Sequence, residues 1–136
     1  LDRKVRSTKR SGGFIIKQIK VLLVEDSVYS ADLNVRELKR AGFAVDSRIV
    51  TGSGALEEAL LSGQWDVILS DNNMPGFDAL RAIEIRNGLA PGVSFIIVSE
   101  DIDQKDVIRA MEQGCYAYLA KKDLNLLGKL VKNMLE

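Results

Sequence analysis

The sequence predicts an α/β fold, a five-stranded parallel sheet doubly wound by helices, and three observations predict it. Short apolar runs recur at about residues 20–24, 43–50, 67–69, 93–98 and 115–120, each with the length and β-branched content of a strand. Each run is followed by apolar residues at helical spacing, so strand then helix repeats five times, the pattern of a parallel sheet covered on both faces. Carboxylates gather where two of the strands end, Glu25 and Asp26 after the first and Asp71 after the third. In an open parallel sheet that edge is where ligands bind.

Taken in order, the run Lys20 to Val24 reads as a buried strand, and Ser27 opens a helix to about Ala41. Val28, Ala31, Val35 and Leu38 share one stripe of that helix, and Gly42 is its stop. Phe43 to Val50 is the second strand, whose Asp46, Ser47 and Arg48 suit an exposed edge position. A short helix over about 54–61 turns Leu56, Ala59 and Leu60 inward and ends at Gly63. The third strand, Val67 to Leu69, stops at Ser70 and Asp71; Pro75 and Gly76 then break the chain before a helix over about 77–86. Val93 to Val98 is nearly all apolar, a strand covered on both faces. Asp103 caps the next helix, with Val107, Ala110 and Met111 inward and Gly114 as stop. Cys115 to Ala120 is the fifth strand. The last helix, from about Asp123, carries Leu127, Leu130, Val131 and Met134 on one stripe, with Gly128 costing it about 1 kcal/mol relative to alanine.

Two strands thus deliver three carboxylates to one edge. Two charges about 5 Å apart at an effective dielectric of about 20 repel by roughly 3 kcal/mol. The cluster asks for a divalent cation.

Glu25 Asp26 after the first strand, Asp71 followed by Met74 Pro75 Gly76, Ser99 ending the fourth strand, and Tyr118 Leu119 Ala120 Lys121 near the C-terminus stand in order. Together they resemble the receiver domain of two-component response regulators, over about residues 19–135. The resemblance implies a flavodoxin-like (βα)5 fold with strand order 2-1-3-4-5. It implies Asp71 as acceptor of a phosphoryl group from a phosphohistidine or a small phosphodonor. It also implies Mg2+ held by Asp26, Asp71 and the backbone carbonyl of Asn73, with Glu25 acting through water. Lys121 would be the second cation on the phosphoryl oxygens, with Lys122 the neighbouring alternative. Ser99 would turn its hydroxyl to the phosphoryl group and Tyr118 would rotate in response, carrying the signal to the face around residues 100–120. The partners implied are a histidine kinase or phosphotransfer protein and an output domain or partner on the face of the fourth and fifth strands, which would also be the dimer face if the chain pairs. Two departures stand out. Glu100 follows the switch hydroxyl where the family usually has a small residue, which bears on rates and on phosphoryl lifetime. Lys122 replaces a frequent proline, so the Lys121–Lys122 bond is expected to be trans.

Composition narrows the field. At 136 residues and 46% hydrophobic, the chain fits one compact domain. With no histidine, it can supply no Ser/His or Cys/His pair, no histidine-ligated zinc and no phosphohistidine of its own. Cys115 is the single cysteine, read as a small core residue. No apolar run approaches the length of a membrane span and no signal-peptide pattern appears, so a cytoplasmic protein is expected. Net charge is zero, yet residues 1–20 hold seven basic side chains against Asp2. Residues 1–18 are read as a solvated basic linker arm ahead of a receiver domain over 19–136, with no direct nucleic-acid binding. The arm and the non-Met start fit a piece cut from a hybrid kinase or multidomain regulator.

Other functions fit less well. A Rossmann-type nucleotide site would place glycines after the first strand, where Glu25 and Asp26 stand. An aspartate-nucleophile phosphatase would resemble its relatives in a second Asp two residues after the first, where Asn73 stands. The remaining rival is a pseudo-receiver, an interaction module that works without phosphorylation.

Overall fold

The computed structural model describes residues 7–11 and 14–136. Five parallel strands form the central sheet: β1 (Phe14–Val24), β2 (Phe43–Val50), β3 (Val67–Ser70), β4 (Ser94–Ser99) and β5 (Ala117–Ala120). β1 pairs with both β2 and β3, β3 with β4, and β4 with β5. The order is therefore 2-1-3-4-5, as the resemblance implies. The helices are α1 (Val28–Arg40), α2 (Ser53–Ser62), α3 (Ala79–Leu89), α4 (Gln104–Glu112) and α5 (Leu127–Leu135), the last preceded by a 3-10 segment, Lys121–Leu126.

Strand alternation builds two cores. Leu22, Val24, Ile68, Phe95 and Ile97 face α2 and α3, meeting Leu56, Leu60 and Ile83. Val21, Leu23, Leu69, Ile96 and Val98 face the other way, against Ala31 and Leu38 of α1 and Leu127 and Val131 of α5. Since successive strand residues point to opposite faces, runs apolar at every position are what a sheet covered twice requires.

Three expectations need correction. Residues 1–18 are read as a solvated linker arm, but Phe14–Gln18 extends β1 and pairs antiparallel with Ser7–Ser11, in register Ser7 with Gln18. Gln18 also pairs with Ala44 of β2, so the added strand lies on β1's other edge, in line with β3. Residues 1–6, 12 and 13 of the arm lie outside the described residues. Val28, placed on the inner stripe of α1, is exposed, because the buried line runs through Ala31, Asn34 and Leu38. Met111 is likewise exposed, and α4 buries only Ala110. No described peptide bond is cis, so Lys121–Lys122 is trans as expected.

Gly128 has a reason that its helix propensity hides. It is buried where α5 crosses α1, and a Cβ built there would overlap the Cβ of Ala41. The helices approach closely because no side chain separates them. Gly128→Ala is therefore expected to destabilise the fold by about 1 kcal/mol net, overpacking outweighing the propensity gain. Ala41→Gly should restore part of it, both read from denaturant midpoints.

Candidate functional site

The site lies at the C-terminal edge of the sheet, and backbone hydrogen bonds set two of its three acidic residues, Glu25 and Asp71, in place. The Glu25 N–H donates to the Val50 carbonyl at 3.2 Å, and the Asp71 N–H donates to the Val24 carbonyl at 2.9 Å. Both chain segments thus leave the sheet still tied to a neighbouring strand end. After Asp71, Asn73–Met74 pairs with Phe77–Asp78 around Pro75 and Gly76. Gly76 has φ +73°, the left-handed backbone that the residue after the proline needs in a type II turn. Asp78 then caps α3, its carboxylate accepting from the Arg81 N–H at 2.9 Å. The loop carrying Asp71 is held at both ends.

Each of Glu25, Asp26 and Asp71 offers a carboxylate oxygen, and these lie within 4.8 Å of one another. Glu25 is buried, Asp71 half-buried and Asp26 exposed, so the cluster opens to solvent on the Asp26 side. Burial, and then the Asp71 charge, push the Glu25 carboxyl up to about 7, while Lys121 pulls it down. One Glu25 oxygen, Oε2, is buried without a hydrogen-bond partner. An orphaned carboxylate oxygen beside two more carboxylates is the donor set of a hard divalent cation.

Lys121 follows β5 and reaches this cluster, its Nζ 3.7 Å from Glu25 Oε1 and 3.5 Å from Ser30 Oγ. Lys122 is exposed, so the structure brings Lys121 and not its neighbour to the pocket. Ser99, at the end of β4, is fully buried and donates to the Asp101 carbonyl at 2.9 Å. Tyr118, on β5, packs against the core between the sheet and α3. Its hydroxyl is buried without a hydrogen-bond partner, and burial raises it above the ordinary tyrosine range. Asn73 and Glu100 are exposed at the mouth. Cys115 is core, as expected: its thiol donates to the Ala117 carbonyl at 3.0 Å, and burial pushes it up. Ser30 was not signalled by the sequence, where a serine in the first turn of a helix reads as a solvated cap neighbour.

The model of the response regulator receiver domain matches residues 21–132. The chain belongs to that family. Among curated proteins, the receiver is 30% identical over 112 residues to protein-glutamate methylesterase/protein-glutamine glutaminase 2 of Caulobacter vibrioides, covering 81% of this chain and 32% of that one. The chain spans about a third of that relative's length. Among solved structures, the receiver domain of NarL from Mycobacterium tuberculosis superimposes with a TM-score of 0.73 at 24% identity, covering 87% of this chain and 96% of that one. The Mn(2+)-bound form of response regulator Rcp1 gives 0.69 at 26% identity, with 87% and 95% covered. Among the described residues of this receiver, no helix is long and apolar enough to cross a membrane.

Proposed function

We propose that this receiver accepts a phosphoryl group on Asp71 from a phosphohistidine of a histidine kinase or phosphotransfer protein. The observation that carries the reading is the convergence of Glu25, Asp26 and Asp71 within 4.8 Å, with Lys121 reaching the same cluster. A carboxylate oxygen of Asp71 attacks phosphorus, the P–N bond to the donor imidazole breaks, and its electron pair stays on that nitrogen. Nucleophile and phosphoryl oxygens are all negative, so the transfer needs cations on both sides. Asp26, Asp71 and the Asn73 carbonyl would hold Mg2+, with Glu25 acting through water. When bound, that ion neutralises charge developing on the phosphoryl oxygens. The orphaned Glu25 oxygen and the all-oxygen donor set support the assignment, and the Mn(2+)-bound relative lends it weight.

Lys121 supplies the second cation as a mobile point charge. Ser99 now spends its hydroxyl on the Asp101 carbonyl, and exchanging that partner for a phosphoryl oxygen gives the modified state a contact that the unmodified state lacks. Only such differential contacts shift an equilibrium. Tyr118, with its hydroxyl unpartnered beneath α4, is placed to follow, so β4, β5 and their helices form the face read by an output domain or by a second copy. A receiver with this chemistry works in the cytoplasm, and the relatives' enzymatic activities belong to those proteins.

Intact mass after incubation with Mg2+ and a small acyl phosphate tests the reading. A gain of one phosphoryl group, lost when EDTA is present, is the expected result. No gain, even from a phosphohistidine-bearing donor and with metal binding confirmed by calorimetry, would overturn it in favour of a phosphorylation-independent interaction module.

A further inference from the structure

The described contacts of the Lys121 ammonium are with Glu25 Oε1 at 3.7 Å and with Ser30 Oγ of α1 at 3.5 Å, and it forms no ion pair with Asp71 within 4.0 Å. The Ser30 contact joins residues 91 positions apart, so it is tertiary and not a local habit of a helical serine. Its geometry is fixed from behind. The Ser30 N–H donates to Ser27 Oγ, the cap of α1, at 3.2 Å, which settles the first helical turn. Val28 and Tyr29 of that turn point to solvent, while Ser30 is half-buried. A hydroxyl can accept from an ammonium while donating to a carboxylate, so Ser30 is chemically suited to bridge Lys121 and the buried Glu25.

We propose that Ser30 is a positioning residue: with Glu25, its hydroxyl holds the Lys121 ammonium in a resting place from which a phosphoryl group on Asp71 must draw it. The contact exists before transfer and is exchanged for phosphoryl oxygens after it, so it opposes the modified state. Binding the ground state more firmly than the reacting state slows a reaction. Removing the hydroxyl therefore frees the lysine. Glu25 alone still keeps it within the pocket, so the cation is not lost.

The consequence for rate rests on the phosphoacceptor reading above; the resting contact itself does not. In the full chain with Mg2+ saturating, Ser30→Ala is expected to speed phosphorylation by a small acyl phosphate about threefold to tenfold. It is also expected to shift the nitrogen resonance of the Lys121 ammonium in NMR of the unphosphorylated chain. Ser30→Thr, which keeps a hydroxyl, should restore both the rate and the resonance. An unmoved Lys121 resonance in Ser30→Ala would overturn the proposal, as would a slower rate that Thr restores, since Ser30 would then deliver the lysine instead of restraining it. If neither parent nor variants take a phosphoryl group but the resonance moves in Ser30→Ala alone, the phosphoacceptor reading fails and the resting contact stands.

Discussion

Asp71→Asn is expected to abolish phosphoryl acceptance and at the same time to raise the melting temperature of the metal-free receiver. The amide has the shape of the carboxylate, and the bond that sets the loop, Asp71 N–H to the Val24 carbonyl at 2.9 Å, belongs to the backbone and survives. What disappears is a nucleophilic oxygen and one of three converging negative charges. Asp71 is half-buried, so solvent screening reduces the relieved repulsion to about 1 kcal/mol, or roughly 3 to 5 °C for a domain of this size. Mg2+ should then reverse the ranking, stabilising the parent more than the variant, because the variant has one charged ligand fewer. Intact mass and paired melting curves with and without Mg2+ check both halves. A phosphoryl group on the Asn variant would move the acceptor to Asp26 or Glu25, and equal melting curves would mean that the carboxylates do not repel as their spacing implies.

How much of this was legible in the sequence follows from which forces act locally. β1, β3 and β4 are apolar at successive positions because helices cover both sheet faces, and a run such as Val67–Leu69 states this directly. The site was legible for the same reason: Glu25, Asp26, Asp71, Ser99 and Lys121 each follow the abrupt end of such a run, and parallel strands bring their ends to one edge. Residues that act across elements left no local trace. Gly128 reads as a weak point of a helix until α1 is laid against it, and Ser30 reads as a surface serine until Lys121, just past the end of β5, reaches it. Val28 and Met111 went astray because a stripe can be drawn through short helices at more than one phase. For the hairpin, a signal was present: Gly12 Gly13 between Ser11 and the run Phe14 Ile15 Ile16 is a two-residue turn signature between strand formers. The surrounding basic charge led to the linker reading.

Arg86→Met is expected to destabilise the receiver by about 2 to 4 kcal/mol, although Arg86 touches nothing acidic among the described salt bridges. Arg86 lies in the last turn of α3 and is 6% exposed. One terminal nitrogen donates to the carbonyls of Val93 at 3.0 Å and Pro91 at 3.4 Å, the other to that of Gly114 at 3.0 Å. Burial lowers its affinity for the proton, and its charge lies over the Phe95 ring, 6.0 Å from the centroid. Methionine would keep the stem's volume and leave the buried Val93 carbonyl unpaired, at about 1 to 3 kcal/mol, together with the part-buried carbonyls of Pro91 and Gly114. Against this stands the gain from no longer burying a charge without a carboxylate, and its Nε, which is buried without a partner, shows that the site does not satisfy it fully. The carbonyls should prevail, since three backbone groups lose their donor together. Asn87 donates to the Gln113 carbonyl at 3.0 Å beside them, so the two residues tie the C-terminal end of α4 to α3, and Ala110 is that helix's one buried residue. Denaturant melts of Arg86→Met give the magnitude, and hydrogen exchange gives the place: protection should fall first at 110–116. A variant as stable as the parent would mean that desolvating the guanidinium offsets all its carbonyl bonds. Gly114→Ala tests the same joint from the other side, because its φ of +102° excludes a side chain and a Cβ there would lie 2.9 Å from the guanidinium.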